Sequence, residues 1–300
     1  MTLRSLHDVA APAKLNLFLH VVGRRADGYH LLQSAFVLID WCDTLHFERR
    51  EDGRIARHDL GAALPADDLC LRAARRLQAA SGTPLGVDIA IDKQVPWGAG
   101  MGGGSSDAAS TLLALNRLWG LNWPRSRLLA LALDLGADVP FFVGGRNAWV
   151  EGIGERLTPI DLPAQWFAVV KPAASIPTQA IFASPLLVRD TDAAILAGFL
   201  ADMGIDKLCE GFGRNDLQPP AQDYSSEVAQ AARLLEDRFG NSRMTGSGSA
   251  VFARAGRIEV GKESQPRAMM PPELPAGWAG RMCRSLQQHP LVGWAEDAEV

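Results

Sequence analysis

Five glycines fall within seven residues, Gly98 to Gly104, in the run PWGAGMGGGSSDAAS that starts at Pro96. A backbone with so few Cβ atoms can take left-handed conformations and approach a ligand closely. The run feeds a helical pattern in which Leu112, Leu113 and Leu115 supply apolar contacts and Gly120 the stop, with Ser105, Ser106 and Asp107 as N-cap or first-turn residues. Backbone N–H groups at such a helix start point at an anion. A loop that needed only flexibility would require neither five glycines nor a Ser-Ser-Asp start. Pro96, Trp97, Gly98, Ala99, Gly100, Met101, Gly102, Gly103, Gly104, Ser105, Ser106 and Asp107 are therefore candidates for holding a polyphosphate. No Gly-Lys-Ser/Thr follows the glycines, so this is not a Walker A loop. Gly98, Gly100 and Gly103 fit G-x-G-x-x-G, yet no Asp or Glu occurs between Asp107 and Asp134, where a dinucleotide site needs its acidic residue.

Elsewhere the chain mixes strand and helix patterns. Ala13 to Val22 alternates, with Leu15, Leu17, Leu19 and Val21 on one face and Lys14, Asn16, Phe18 and His20 on the other. Asp27-Gly28 is a turn dipeptide before the apolar run LLQSAFVLID, which makes a hairpin. Val87–Asp92 is a further strand, and a helix over Arg127–Leu135 stops at Gly136, leaving ADVPFF as its exposed end. Pro159, Asp161 and Pro163 mark a boundary near residue 160, before the strand WFAVVK from Trp166. A helix over Glu227–Phe239 and the Gly/Ser turn of RMTGSGSAVFAR complete the pattern. The fold class expected is α+β, with domains over 1–160 and 161–300.

Composition narrows the function classes. With 47% hydrophobic and 21% charged residues the chain is ordinary globular protein, and no apolar run reaches the roughly 18 residues of a membrane span. The N-terminus lacks the apolar core and cleavage site of a secretory signal, so a cytoplasmic protein is expected. A net charge of −4 with no Lys/Arg cluster argues against nucleic acid as a partner. Cys42, Cys70, Cys209 and Cys283 are scattered, and the histidines have no metal-ligand spacing, so neither a disulfide framework nor a protein metal site is expected.

If the loop holds a nucleotide and the reaction is phosphoryl transfer to an alcohol, a carboxylate and a cation are needed near the acceptor hydroxyl. Asp138, between Gly136 and Pro140, is the candidate carboxylate. Tyr29 and His30, just after the hairpin turn, could stack on and hydrogen-bond to a pyrimidine. Successive residues of a regular strand point to opposite faces, so both reach one base only if the turn distorts the strand start.

The loop PWGAGMGGGSSDAAS resembles the P-x-G-x-G-x-G-G-S-S phosphate loop of the GHMP kinase superfamily. Five further segments, APAKLNLFLHVVGRRADGYH, LGADVPFF, SIPTQAIF with RNDLQPPA, MTGSGSAVFA and RSLQQHPL, are similar to the branch that acts on a cytidine-diphosphate-linked polyol. The resemblance implies a two-domain GHMP kinase fold with the active site in the interdomain cleft, ATP with Mg2+, and a small-molecule cytidylyl polyol as substrate. It also implies Asp138 as the base, Lys14 beside it as an electrostatic stabiliser of the alkoxide, and Asn16, Tyr29, His30, Thr178 and Phe182 as substrate contacts. Gly246, Ser247 and Gly248 resemble a loop facing the active site. The alternatives are a kinase of the same superfamily for mevalonate or homoserine and a non-catalytic nucleotide-binding protein, either as monomer or homodimer. Trp97, Met101, Ala173, Ala174 and the closing VGWAEDAEV depart from the family pattern.

Overall fold

The computed structural model describes residues 3–200, 204–259 and 265–297. Two long strands open it. β1 (Ser5–Arg24) and β2 (His30–Arg50) form an antiparallel hairpin around the Arg25–Tyr29 turn, in which Gly28 has a φ of 93°. β3 (Ile55–Asp59) and β4 (Gly86–Asp92) flank the helix α1 (Leu69–Ser81). The pattern above did not anticipate α1. Its ends carry ordinary signals: Asp68 accepts a hydrogen bond from the Leu71 amide, and Gly82 closes the helix in the left-handed region.

After the glycine loop come α2 (Gly103–Leu118), α3 (Arg125–Leu135) and α4 (Val139–Gly144), then β5 (Ala148–Glu151), β6 (Arg156–Pro159) and β7 (Gln165–Lys171). The next helices are α5 (Thr178–Ala183), α6 (Leu196–Leu200), α7 (Gly204–Glu210), α8 (Gln218–Tyr224) and α9 (Ser226–Phe239). β8 (Arg243–Met244), β9 (Val251–Arg257) and β10 (Ala279–Leu286) close the sheet. The class is the expected mixture of a largely antiparallel sheet and separate helices; among the described strands only β3 and β4 pair in parallel.

β2 is the spine. One edge pairs with β1 along most of its length, and the other pairs in turn with β5, β10 and β4. Through β10 the strand order runs β3-β4-β2-β10-β7-β9-β8, so hydrogen bonding continues from the first half of the chain into the second. One apolar cluster packs α1 to α4 on the first half, around Leu112, Leu113 and Phe141. Another packs α8 and α9 on the second, around Leu235, Met244 and Val251.

Two local readings change. The alternating strand over Ala13–Val22 is buried on both faces, Lys14, Asn16 and His20 included, because α2 lies over β1 and the loops of the second half close from the other side. ADVPFF is not an exposed end: Val139, Pro140, Phe141, Phe142 and Val143 are all buried in α4, with Pro140 in the first turn, where its missing N–H has no partner to lose. Among the described residues no helix is long and apolar enough to cross a membrane.

Candidate active site

The glycine loop is rigidly placed. Gly98, Gly100 and Gly102 have φ values of 63°, 72° and 71°, while the side chains of Ala99 and Met101 are buried as anchors. A Cβ on Gly100 would lie 2.3 Å from the Thr245 carbonyl oxygen, and one on Gly102 would lie 3.0 Å from the Phe142 ring. The Ser249 and Ala250 amides donate to the carbonyls of Gly98 and Ala99 at 3.2 and 3.1 Å, so the GSG turn of the second half locks directly onto the loop.

α2 begins at Gly103 with left-handed Gly102 as its cap, and no side chain caps it. Ser105, Ser106 and Asp107 lie inside its opening turns. The free N–H groups therefore face outward beside a cavity of about 330 Å³ lined by residues 96 to 105, Leu69, Lys93 and Val95. Trp97 is exposed at its rim. Ser106 and Asp107 are buried; Asp107 Oδ2 accepts from Lys93 Nζ at 2.5 Å, and Lys93 also donates to buried Asp43. Burial pushes the Asp107 carboxyl well above the usual carboxylate range, against the pull of Lys93.

Lys14 lies beneath the loop. Its amide donates to the Met101 carbonyl at 2.9 Å, and its ammonium, 3% of the residue exposed, donates to Asn16 Oδ1 at 2.6 Å and sits 3.7 Å from Asp138 Oδ2. It also lies 4.5 Å from the centre of the Phe36 ring, a cation–π contact. Burial lowers the Lys14 pKa from the ordinary lysine value, and the charge and hydrogen bond of Asp138 oppose that shift. Asp138 is half-buried at the start of α4, the helix that follows from Gly136 and Pro140.

Asn16 is an organiser. Its Oδ1 accepts from Lys14, from the Gly246 amide at 3.0 Å and from Thr245 Oγ1 at 3.2 Å, while Nδ2 donates to Ser34 Oγ at 3.0 Å. Lys14, Asn16, Ser34, Phe36, Asp138, Thr178, Phe182, Gly246 and Ser247 all border one cavity of about 120 Å³. Thr178 Oγ1 and Ser247 Oγ are hydrogen-bonded at 2.7 Å across it.

That cavity shares Leu32, Ile153, Thr178 and Phe182 with a larger one of about 650 Å³, which Tyr29 and His30 also line. The strand-face objection is met by the turn: β2 starts only at His30, while Tyr29 still belongs to the turn, its carbonyl accepting from Arg25 and its amide donating to Asp27 Oδ1. His30 stacks on Phe182 with ring centres 4.8 Å apart and planes at 28°. Tyr29 is 61% exposed at the edge.

Sequence reasoning missed Ser34 and Phe36, which have no motif of their own, Thr245, which sits in the MTGSGSAVFA segment but was passed over for the glycines after it, and Lys93, whose place at the loop follows only from the end of β4. Among the described residues no group of three or more His, Cys, Asp or Glu could hold a metal ion.

Comparison with known proteins gives the family. Residues 68–146, which hold the loop, α2 and Asp138, match the GHMP kinases N terminal domain. The chain is 68% identical over 295 residues to a 4-diphosphocytidyl-2-C-methyl-D-erythritol kinase of Methylibium petroleiphilum, covering 98% of this chain and 100% of the relative. A crystal structure of 4-(cytidine 5'-diphospho)-2C-methyl-D-erythritol kinase superposes with a TM-score of 0.70 at 37% identity, over 82% of this chain and 89% of that one. A homoserine kinase from Cytophaga hutchinsonii shares the fold at 15% identity, with a TM-score of 0.65 over 95% and 96% of the two chains. Identity at this level, maintained over almost the full length, means that the chain belongs to the 4-diphosphocytidyl-2-C-methyl-D-erythritol kinase family of the GHMP kinases.

Proposed function

We propose that the chain transfers the γ-phosphoryl group of ATP to the 2-hydroxyl of 4-diphosphocytidyl-2-C-methyl-D-erythritol, a step of non-mevalonate isoprenoid precursor synthesis. The observation that carries this reading is the position of the Lys14–Asp138 pair between two unlike cavities. On one side is a glycine loop with a free helix start, suited to polyphosphate; on the other is an aromatic pocket suited to a base. Asp138 takes the proton of the acceptor hydroxyl as its oxygen bonds to the γ-phosphorus, and the bond to the β-phosphate breaks to release ADP. Lys14 stabilises the alkoxide that develops, in a site where burial strengthens the interaction. Tyr29, His30 and Phe182 hold the cytosine end, while Thr178 and Asn16 border the polyol.

Mg2+ belongs here with the nucleotide. The residues fit that role: Ser105 lines the loop cavity, the buried Ser106 hydroxyl has no hydrogen-bond partner, and the one carboxylate of the loop, Asp107, is held by Lys93. The ion would neutralise phosphate charge through phosphate oxygens and a hydroxyl, without a protein carboxylate cage. We assign residues 1–160 to the ATP-binding lobe and 161–300 to the second, with the site in the cleft between them; one apolar cluster centres on α1 to α4 and another on α8 and α9, while a third, around Leu15, Trp149, Phe167 and Phe252, joins the two halves. A cytoplasmic monomer or homodimer without nucleic acid suits the −4 charge and the small-molecule chemistry.

The test is ADP release from ATP and Mg2+ with the cytidylyl methylerythritol acceptor, set against mevalonate, homoserine and no acceptor. Turnover with the cytidylyl compound alone is expected. Turnover with another alcohol would remove the base-pocket reading, and turnover with none would favour a non-catalytic nucleotide-binding protein.

A further inference from the structure

One arginine outside the assigned constellation touches both aromatic walls of the base pocket. Arg189, in the segment after α5, donates from Nη2 to the carbonyls of Phe182 and Ser184 at 3.0 and 2.9 Å and from Nη1 to that of Leu187 at 3.0 Å. It therefore fastens the end of the helix that carries Phe182. Its remaining group, Nε–H, donates to His30 Nε2 at 3.2 Å across the cleft.

The last contact determines the chemistry of the histidine. A guanidinium has only donors and stays charged at any ordinary pH, so the imidazole nitrogen facing it must be the acceptor. An imidazole that accepts at Nε2 carries its proton on Nδ1. Protonating Nε2 would set N–H against N–H and cation against cation. No hydrogen bond among the described residues uses His30 Nδ1, so this N–H is available to a ligand. We propose that Arg189 is a positioning residue of the base pocket: it fixes His30 as the neutral Nδ1–H tautomer, so that the pocket offers a pyrimidine one neutral donor on a stacked ring.

This inference rests on the base-pocket reading given above, and the surroundings agree with it. Arg24 from β1 and Arg189 both oppose a charge on His30, Asp27 is the carboxylate of the same cavity, and Phe182 covers one ring face. Burial, then Arg189, then Arg24 lower the His30 pKa from its ordinary value. The neutral form thus persists below the pH at which a free histidine titrates.

The experiment is ¹H–¹⁵N correlation NMR of the six histidine rings in the full chain, with His30 assigned by its loss in His30→Gln, alongside calorimetric CDP binding at pH 7.5 and 5.5. In the native protein we expect an Nδ1–H tautomer for His30, a titration point below the ordinary histidine value, and a loss of CDP affinity between pH 7.5 and 5.5 that is smaller than in Arg189→Leu, the titration of CDP itself being common to both. In Arg189→Leu the ring should titrate higher than in the native protein, while burial and Arg24 still hold it below the ordinary histidine value. CDP should then bind about tenfold more weakly at pH 7.5, the scale of one hydrogen bond, and more weakly still at pH 5.5. Arg189→Lys should restore the low titration point but not the tautomer. An Nε2–H tautomer in the native protein overturns the proposal and needs no variant to fold. An Nδ1–H ring in a protein that binds no CDP would sustain the Arg189 pairing and remove the cytidylyl reading.

Discussion

Lys14 must keep its charge in the driest part of the cleft. Burial lowers its pKa and Asp138 opposes the change, so the ammonium is present at low pH and lost as pH rises through a value below that of a free lysine. We therefore expect kcat to fall on an alkaline limb below about 10.4, the ordinary lysine value, and the limb to move upward in Lys14→Arg; a native limb at or above that value would contradict this. Asp138→Asn should lower kcat by about 10²- to 10⁴-fold with the ATP KM little changed, as measured by steady-state kinetics. Full turnover would remove Asp138 from the proton transfer. Asp138 was a candidate from its own position between Gly136 and Pro140, whereas Lys14, beside Asn16 on a strand, was a candidate only through the family resemblance. Their proximity was implied only by the family resemblance; the 3.7 Å approach itself joins residues 124 positions apart in the chain through β1 and α4.

At the scale of elements, the glycine loop derives its shape from what it packs against. Gly100→Ala would place a Cβ 2.3 Å from a backbone oxygen at a left-handed φ of 72°. We expect at least about 2 kcal/mol of lost stability together with a raised ATP KM. Gly82→Ala, left-handed too but facing open space, should cost only about 1 kcal/mol and leave the KM alone. Urea unfolding and initial rates on both variants separate strain from space. The sequence displayed the glycines but not their reasons: Gly100 is excluded from a side chain by Thr245, Gly102 by Phe142. It likewise displayed Tyr29 and His30 as neighbours, whereas the point at which turn becomes strand, which lets both line one cavity, came from the hairpin.

Across the whole molecule, residues 289–297 return to the first half of the chain. His289 donates its amide to the Gly145 carbonyl at the end of α4. Arg125, at the start of α3, donates to the carbonyls of Val143, Val292 and Ala295 and to Asp297. Arg125→Leu removes the donor of two buried carbonyls, Val143 and Ala295, and of the half-buried Val292 carbonyl, and should cost about 3 kcal/mol in urea unfolding. Arg127→Leu, which loses only a ring contact with Trp123, should cost under about 1 kcal/mol. Within the same clasp His289 is fully buried, and burial, with Arg125 nearby, pushes its pKa down to about 3. The unfolded chain binds its proton near pH 6.5, so between about 6.5 and 3 the unfolded state holds more protons and stability falls as pH falls. From pH 7 to 5 this residue should remove about 2 kcal/mol. His289→Asn keeps an acceptor for the Leu291 amide and should flatten that part of the pH–stability curve.

The sequence by itself determined the first hairpin, the glycine loop with α2 and the candidate residues, though not α1 or α4, because turn glycines, apolar periods and a phosphate-binding loop are local statements read within a few residues. Only the tertiary structure decided what those residues do together. It buried the polar face of β1, turned Asp107 inward to Lys93, set Arg189 against His30 and carried the segment after β10 back to α4. Each of these depends on which surfaces meet across the sheet, and hydrophobic burial selects those meetings without leaving a mark in any single stretch of chain.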